Sequence, residues 1–508
     1  MKLYLLISVL FVKAIQHSDT KPTIEHESLH NQQKELLKQK ELQVSVGGNI
    51  VLTPQEEKAN RILMSYKIKE LDVMFNNPEQ FYLKHQFLNY KDKLSSSNVY
   101  KIIRMMPKGG SLHIHSSMLL NPEGLVELTY EDNLYACLER KKVKFNMTTE
   151  FPQGSCSTKW ISLKDHRKYS VKNVKDFDDN LKKLFMFQID DKMDINKRWQ
   201  EFEASHDNFA TLLAYRPIYE KYLHRVLEHF YSDNVRYMEI RGSMDSLYEI
   251  DGTKRGSDYI LELVKNVTDT FIESHPDFFG VRIIITNNRG NVGKTRKNLL
   301  KTAELIRKYP DLVVGFDIVG QEEKGKPIAM YSTLFNYMKD YINYYFHAGE
   351  TNWYGTDADN NLFDSIILGT KRIGHAFALV KHPILMSLVE QKEIAIEVNV
   401  ISNSVLGLVD DLRNHPAAQF IASGLPIVIC SDDPAVWGAD PASHDYFVTF
   451  MAVASRWADL RMLKQLVLNT IKHSALDNVI KEVFYRSFEK DWSLFIERII
   501  RNYNECVL

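Results

Sequence analysis

The segment SLHIHSSML, residues 111–119, sets His113 and His115 one residue apart inside an apolar run. On a strand, residues i and i+2 face the same side, so both imidazoles can point into one site. Further groups of the same chemistry recur downstream: His347 and Glu350 in FHAGE, His375 in RIGHAFA, and the paired Asp432 and Asp433 in CSDDP. Three imidazoles and a carboxylate form a borderline-soft donor set suited to zinc, with iron or cobalt as second choices. A structural zinc site is normally closed and often cysteine-rich, whereas His113, His115, His347 and Asp432 would leave a position for water, as hydrolytic metals require. A metal there would lower the pKa of its water toward neutrality. Glu350 is then a candidate proton donor, His375 a candidate to take a proton from the water, and Asp433 a candidate to orient a substrate by hydrogen bonding. Plainer roles compete: histidines pack in cores, either aspartate ahead of Pro434 could cap a helix, and Asp433 could sit in a buried salt bridge.

These residues fall on or beside eight apolar runs: SLHIH (111–115), VRYMEIRG (235–242), FGVRIIIT (279–286), LVVGFDIVG (312–320), NYYFHAGE (343–350), RIGHAFA (372–378), EIAIEVNV (393–400) and PIVICSDD (426–433). Helical patterns such as ILELVKNVTDTFIES and NLLKTAELIRKYP separate most of them. Apolar runs joined by helical crossovers read as parallel strands buried on both faces. Eight such units predict an α/β fold, a (β/α)8 barrel whose active site lies at the C-terminal ends of the strands. The first gap is far too long for one crossover, so residues 126–185 are read as an inserted subdomain. Cys137 and Cys156 lie there, in a Gly- and Pro-containing segment, and could close a short loop as a disulfide. Four cysteines allow two disulfides on count, although Cys430 reads as a buried thiol in an apolar strand and Cys506 lies in the tail. Asn146 and Asn266 head glycosylation sequons. Residues 20–100 read as helices, notably QKELLKQKELQ and PQEEKANRILMSYKIKELDVMF. Such an arm can serve self-association or pack as a layer on its own domain.

At 508 residues and 44% hydrophobic content, the chain can bury a large core. Lys plus Arg (64) nearly cancels Asp plus Glu (65), and no long basic tract is present, which argues against a nucleic-acid partner and for a small neutral or mildly polar ligand. The opening MKLYLLISVLFVKAIQHSD has one Lys, an apolar run of about ten residues and then polar residues, the layout of a signal peptide. A buried first strand or helix is the alternative. Residues 1–18 are therefore expected to be a signal peptide and the protein to be secreted, and no other stretch is apolar for long enough to span a bilayer.

The motifs MPKGGSLHIHSS, GFDIVGQE, FHAGETNWYGT, RIGHAFAL, EVNVISN and SDDPAVWG, in this order, resemble the adenosine deaminases, and within them the secreted adenosine deaminase growth factors. The resemblance spans nearly the whole chain. It implies one zinc per subunit on His113, His115, His347 and Asp432, with Glu350 similar to the family's proton donor at purine N1. His375 is similar to the residue that orients or deprotonates the attacking water, Gly320 to a backbone contact with the purine, and Asp433 to a contact with N7. Trp199 and Glu203 in RWQEFEA look like the segment that covers the substrate, although on pattern alone they pass as a core aromatic and a solvated helix residue.

The implied reaction is hydrolytic deamination of adenosine and 2′-deoxyadenosine to the inosines, with release of ammonia. The implied organisation is a helical dimerisation region at 19–105 and a deaminase domain at 106–508, in a homodimer; a cell-surface receptor or glycan is a further candidate partner that the resemblance does not itself supply. A catalytically silent growth factor or binding protein on the same fold is the alternative, but it should lack a metal or acid/base residue and none is missing. Two positions depart from the pattern. Ser116 and Ser117 stand where family members usually carry an Asp for the ribose 5′ hydroxyl, and Asn288 where the secreted group often carries a His. The expectation is that deamination survives while ribose affinity or nucleoside choice shifts.

Overall fold

In the computed structural model, residues 24–188, 192–290 and 292–506 are described, and the expected signal peptide lies outside them. The eight apolar runs all contribute strands: β1 (Gly109–His115), β2 (Val235–Gly242), β3 (Val281–Asn288), β4 (Val313–Val319), β5 (His347–Ala348), β6 (Arg372–His375), β7 (Ala395–Val398) and β8 (Ile427–Ile429). Strands β1 to β4 pair in parallel in that order, and so do β5 to β8. Parallel bridges at Phe316 with Tyr344 and at Ile114 with Asp432 join the two sheets at both seams. The result is the expected (β/α)8 barrel. β-Branched and aliphatic residues dominate the strands, as a sheet buried on both faces requires.

Strand lengths differ between the two halves. NYYFHAGE yields only a two-residue ladder at His347–Ala348, because the chain leaves the sheet at Gly349, whose φ of 72° is left-handed. That early exit brings Glu350 over the barrel mouth. The β1–β8 seam is equally consequential: His115 N–H donates to Asp432 O and Asp432 N–H to His113 O, both at 3.1 Å. Closing the barrel therefore places three of the four expected ligands side by side.

Between β1 and β2 lies a three-stranded antiparallel sheet, with Leu134–Leu138 between Val143–Met147 and Trp160–Ser162, followed by the helix Val174–Phe185. Cys137 and Cys156 are disulfide-bonded, with Cα atoms 5.8 Å apart, and staple the central strand to the loop before the third. No second disulfide forms, because Cys430 is buried in the barrel and Cys506 lies in the C-terminal tail.

Ahead of the barrel stand the helices Ile24–Val44 and Pro54–Asn76. The second begins at a capping box formed by Thr53 and Glu56 and packs on the C-terminal helix Asn478–Asn502. Its Lys67 is fully buried, donates to the carbonyls of Ser455 (3.0 Å) and Ala458 (2.6 Å), and lies over the Phe450 ring. Burial presses that ammonium down to a pKa of about 7. The first helix behaves differently, leaving Leu29, Leu36 and Leu37 more than half exposed. The stretch after Pro78 is not α-helical as the reading of residues 20–100 expected. It forms four short 3-10 turns between Pro78 and Ser96, because Pro78 interrupts the helix and the buried anchors Phe81, Leu83, Phe87 and Leu94 recur without a 3.6-residue period. Among the described residues no helix is long and apolar enough to cross a membrane.

The β4–β5 seam tolerates no side chain at Gly315, where a Cβ would lie 2.5 Å from both Asn343 O and the Tyr345 ring. Gly315→Ala should therefore force the seam apart, at a cost of about 1–3 kcal/mol. Thermal unfolding should report a lower midpoint than wild type; an unchanged midpoint would show that the seam is not tightly closed there.

Candidate active site

The C-terminal ends of the strands bring together one ligand atom each from His113, His115, His347 and Asp432, all within 4.8 Å of one another. Asp432 Oδ1 lies 3.3 Å from His113 Nε2 and 3.1 Å from His115 Nε2. Ligands about 2.0–2.1 Å from a tetrahedral zinc are spaced at roughly 3.3 Å, so these separations fit that ion. His113 Nε2 and Asp432 Oδ1 are buried without a hydrogen-bond partner, as donors converging on a cation would be. Asp432 reaches this position with φ at 59°, and His375 beside it with φ at 61°, both in the left-handed region that non-glycine residues seldom occupy.

Titration states suit a cation. Burial alone would raise the Asp432 carboxyl, but His113, His115 and His375 outweigh it and hold Asp432 well below the usual range. Burial pushes His347 down to about 4, leaving its lone pair free. His113 moves the other way: burial and Arg241 lower it, yet Glu397 and Asp432 together raise it, so a proton competes with a metal for its Nε2.

Behind these donors lies a fully buried ionic network that sequence reasoning missed. His113 Nδ1 pairs with Glu397 Oε2 at 2.8 Å, and His347 Nδ1 with Asp317 Oδ2 at 2.6 Å. Arg241 donates to both carboxylates, at 2.6 Å to Glu397 and 2.8 Å to Asp317, while Arg372 joins Glu397 to Glu239. A carboxylate on Nδ1 turns the Nε2 lone pair toward the metal position. The signal was present in the sequence as charged residues at alternate positions of apolar strands: Glu239 and Arg241 in β2, Asp317 in β4, Arg372 in β6 and Glu397 in β7.

Glu350 is held by its own backbone, since Glu322 accepts from the amides of Gly349 (3.2 Å) and Glu350 (2.9 Å). Its Oε1 is buried without a hydrogen-bond partner. Burial, with Asp432, Glu322 and Glu323 nearby, raises the Glu350 carboxyl well above its ordinary value, which keeps the proton on it. Asp433 is raised as well, by burial and by Asp432 and Glu350. It occupies the N-cap position of Pro434–Trp437, but its side chain makes no capping bond, and its Oδ1 is buried without a hydrogen-bond partner. Burial lowers His375 well below its ordinary value and keeps the imidazole neutral.

His115, His347, Glu350, His375, Asp432 and Asp433 line one cavity of about 510 Å³, while His113 is fully buried beside them. Gly320 lines it with a φ of 103°, and a Cβ there would sit 3.0 Å from Asn288 Nδ2, so the backbone lies bare on the wall. Trp199 and Glu203 reach the cavity from the helix Ile195–Leu213. Trp199 is buried edge-on against Phe202, which stacks on Trp437, while Glu203 stays at the exposed rim. Ser116, Ser117 and Asn288 line the same space, and so does Asp245, which sequence reasoning did not single out. Asn146 is half-buried in the inserted sheet and Asn266 exposed on the helix Ser257–Ser274; neither lines the cavity.

Known proteins share this architecture. The family model for adenosine deaminase matches residues 166–487, and that for the adenosine/AMP deaminase N-terminal region matches residues 6–103. The chain is 39% identical to human adenosine deaminase 2 over 469 residues, which are 90% of this chain and 91% of that one. It is 37% identical to the adenosine deaminase of Phlebotomus duboscqi over 467 residues, 90% of each chain. Solved structures with a similar fold include the Arabidopsis N6-mAMP deaminase, at a TM-score of 0.55 and 17% identity over 77% of this chain and 99% of that one. A cog1816 amidohydrolase from Burkhoderia ambifaria with bound Zn also has a TM-score of 0.55, at 15% identity over 80% of this chain and 95% of that one. With its barrel, its metal-binding donor group and these relatives, the chain belongs to the adenosine deaminase family of hydrolytic deaminases, as an adenosine deaminase 2-like member.

Proposed function

We propose that this protein is a zinc-dependent deaminase of adenosine and 2′-deoxyadenosine, forming the inosines and ammonia. The observation that carries the reading is one cavity lined by three members of the four-donor group, His115, His347 and Asp432, by the carboxyl of Glu350 and by the neutral imidazole of His375. Addition of water to C6 of a purine needs a strong nucleophile and a protonated ring nitrogen together. Zinc, when bound, supplies the positive charge that makes water nucleophilic at neutral pH. Glu350 gives its proton to N1, and His375 orients or deprotonates the attacking water. Asp433, also protonated, faces N7, and the bare backbone at Gly320 takes an edge of the ring. Trp199 and Glu203 cover the entrance.

The sugar lies toward Ser116, Ser117 and Asn288 in this reading. Asp245 adds a carboxylate to the same wall, where its Oδ2 already accepts from Ser243 Oγ at 2.8 Å. It compensates for the carboxylate that the two serines lack. We further propose a secreted glycoprotein, with residues 1–18 removed and glycans on Asn146 and Asn266; the Cys137–Cys156 disulfide supports passage through an oxidising compartment. Region 19–105 forms the homodimer contact, supported by the exposed Leu29, Leu36 and Leu37, and 106–508 is the deaminase domain. The insertion at 126–185 is the surface for a receptor or glycan, and any growth-factor activity follows from removal of adenosine.

Purified protein given adenosine should show the absorbance change to inosine, lose it to a chelator, and regain it on addition of zinc. Absence of turnover with metal bound would overturn the assignment. Glu350→Gln should keep its metal by elemental analysis while kcat falls about 10²- to 10⁴-fold; a fully active variant would remove Glu350 from proton transfer. Glu397→Gln should weaken zinc about 10- to 100-fold in competition with a chromophoric chelator, and an unaltered affinity would mean that Glu397 does not orient His113.

A further inference from the structure

Behind His375 a second set of hydrogen bonds runs away from the metal group, and its direction can be read from one backbone amide. Ala417 N–H donates to His415 Nδ1 at 3.0 Å. A backbone N–H is only a donor, so His415 Nδ1 carries no proton. Burial alone presses His415 down to about 3, which keeps the ring neutral, so its proton resides on Nε2. His415 Nε2 lies 3.0 Å from Asn403 Oδ1, an acceptor. The orientation of the Asn403 amide is thereby fixed, and its Nδ2 donates to His375 Nδ1 at 3.0 Å. A neutral imidazole that accepts at Nδ1 must carry its proton on Nε2. Asn399 Nδ2 is equidistant, 3.4 Å, from both ring nitrogens of His375 and so selects neither. Glu350 Oε1 lies 3.4 Å from His375 Nδ1 but forms no hydrogen bond with it.

We propose that Asn403 and His415 are positioning residues that lock His375 in the tautomer with its proton on Nε2. His375 then donates a hydrogen bond to the attacking oxygen and does not accept a proton from it. The ring is aimed for that role: Nε2 faces the metal side, 3.7 Å from Asp432 Oδ2, and the left-handed backbone at His375 and Ala376 keeps it there. This rests on the deaminase reading above and changes the part expected of His375.

Glu350 completes the proton cycle alone. Its carboxyl protonates N1 as the oxygen bonds to C6, and the resulting carboxylate takes the proton released by the attacking water. It passes that proton to the leaving amine as the C6–N bond breaks, and recovers one from the new C6 hydroxyl as the carbonyl forms. Ammonia departs and Glu350 ends protonated as it began.

Neutron diffraction from crystals of the zinc-bound protein exchanged into heavy water tests the tautomer directly. A deuteron on His375 Nε2 with none on Nδ1 is the expected result, and a deuteron on Nδ1 overturns the proposal. Asn403→Asp supplies the kinetic test, because a carboxylate would accept from both rings and draw the His375 proton onto Nδ1. It should lower kcat by on the order of a hundredfold or more, the direction seen when a catalytic histidine is held in the wrong tautomer, with KM and zinc content within about threefold of wild type. A variant with wild-type kcat overturns the proposal. His415→Gln, which can still donate to Asn403 Oδ1, should retain most of the activity that His415→Leu loses; equal activities would sink the role of His415. If either variant fails to fold, the neutron result on the wild type decides. Wild-type turnover of adenosine tests the deaminase reading separately.

Discussion

The structure depends on charge neutralisation inside the barrel. Arg241 and Arg372 are fully buried among Glu239, Asp317 and Glu397, where an unpaired charge would be very costly. Removing one partner from such a set typically costs about 3–5 kcal/mol, because the others are left uncompensated. Each of these side chains belongs to a different strand or to alternate positions of one strand, so the network holds only when the barrel is closed in the observed register. A shift of one residue along β2 would turn Glu239 and Arg241 outward together. Register, closure and ligand orientation are therefore one problem, since Glu397 and Asp317 meet the arginines on one side and the Nδ1 atoms of His113 and His347 on the other.

The seam between β1 and β8 adds a second coupling. Asp432 supplies both an oxygen of the four-donor group and the backbone bridge that closes the barrel at Ile114. Its positive φ, and those of His375 and Ala376, are conformations a protein holds only where surrounding contacts over-determine them. Here those contacts are the seam on one side and the buried polar groups around His375 on the other. A metal drawn to the four donors would add its own affinity to the same closure, because binding to a folded site stabilises the fold.

Much of this was legible in the sequence, for definable reasons. Eight apolar runs with helical spacers gave the barrel, since strands buried on both faces carry little else. His113 and His115 were visible because strand periodicity is two, and His347, His375 and Asp432 because each sits where an apolar run ends. Glu397 and Asp317 were not singled out, because a lone acid in an apolar strand does not reveal which partner it meets across the barrel. Asn403 and His415 were hidden more deeply. They lie in the connection between β7 and β8, and only the three-dimensional direction of their hydrogen bonds distinguishes them from ordinary buried polar residues. The 3-10 segment between Pro78 and Ser96 escaped for the opposite reason, because its apolar residues are numerous enough to imitate a helix without keeping its period.

Crowding of acids then divides the labour at the mouth. Asp432, Asp433 and Glu350 are buried close together, and like charges so placed cannot all ionise. Asp432 wins the charge because imidazoles surround it, and its ionisation adds to burial in raising Glu350 and Asp433. One ionised carboxylate among the imidazoles and two carboxyls held toward their protonated forms are thus a consequence of burial and crowding and not of three separately tuned sites. On the same principle, a change that neutralised Asp432 would relax one cause of the upward shift at Glu350, while burial, the larger cause, would go on favouring its protonated form.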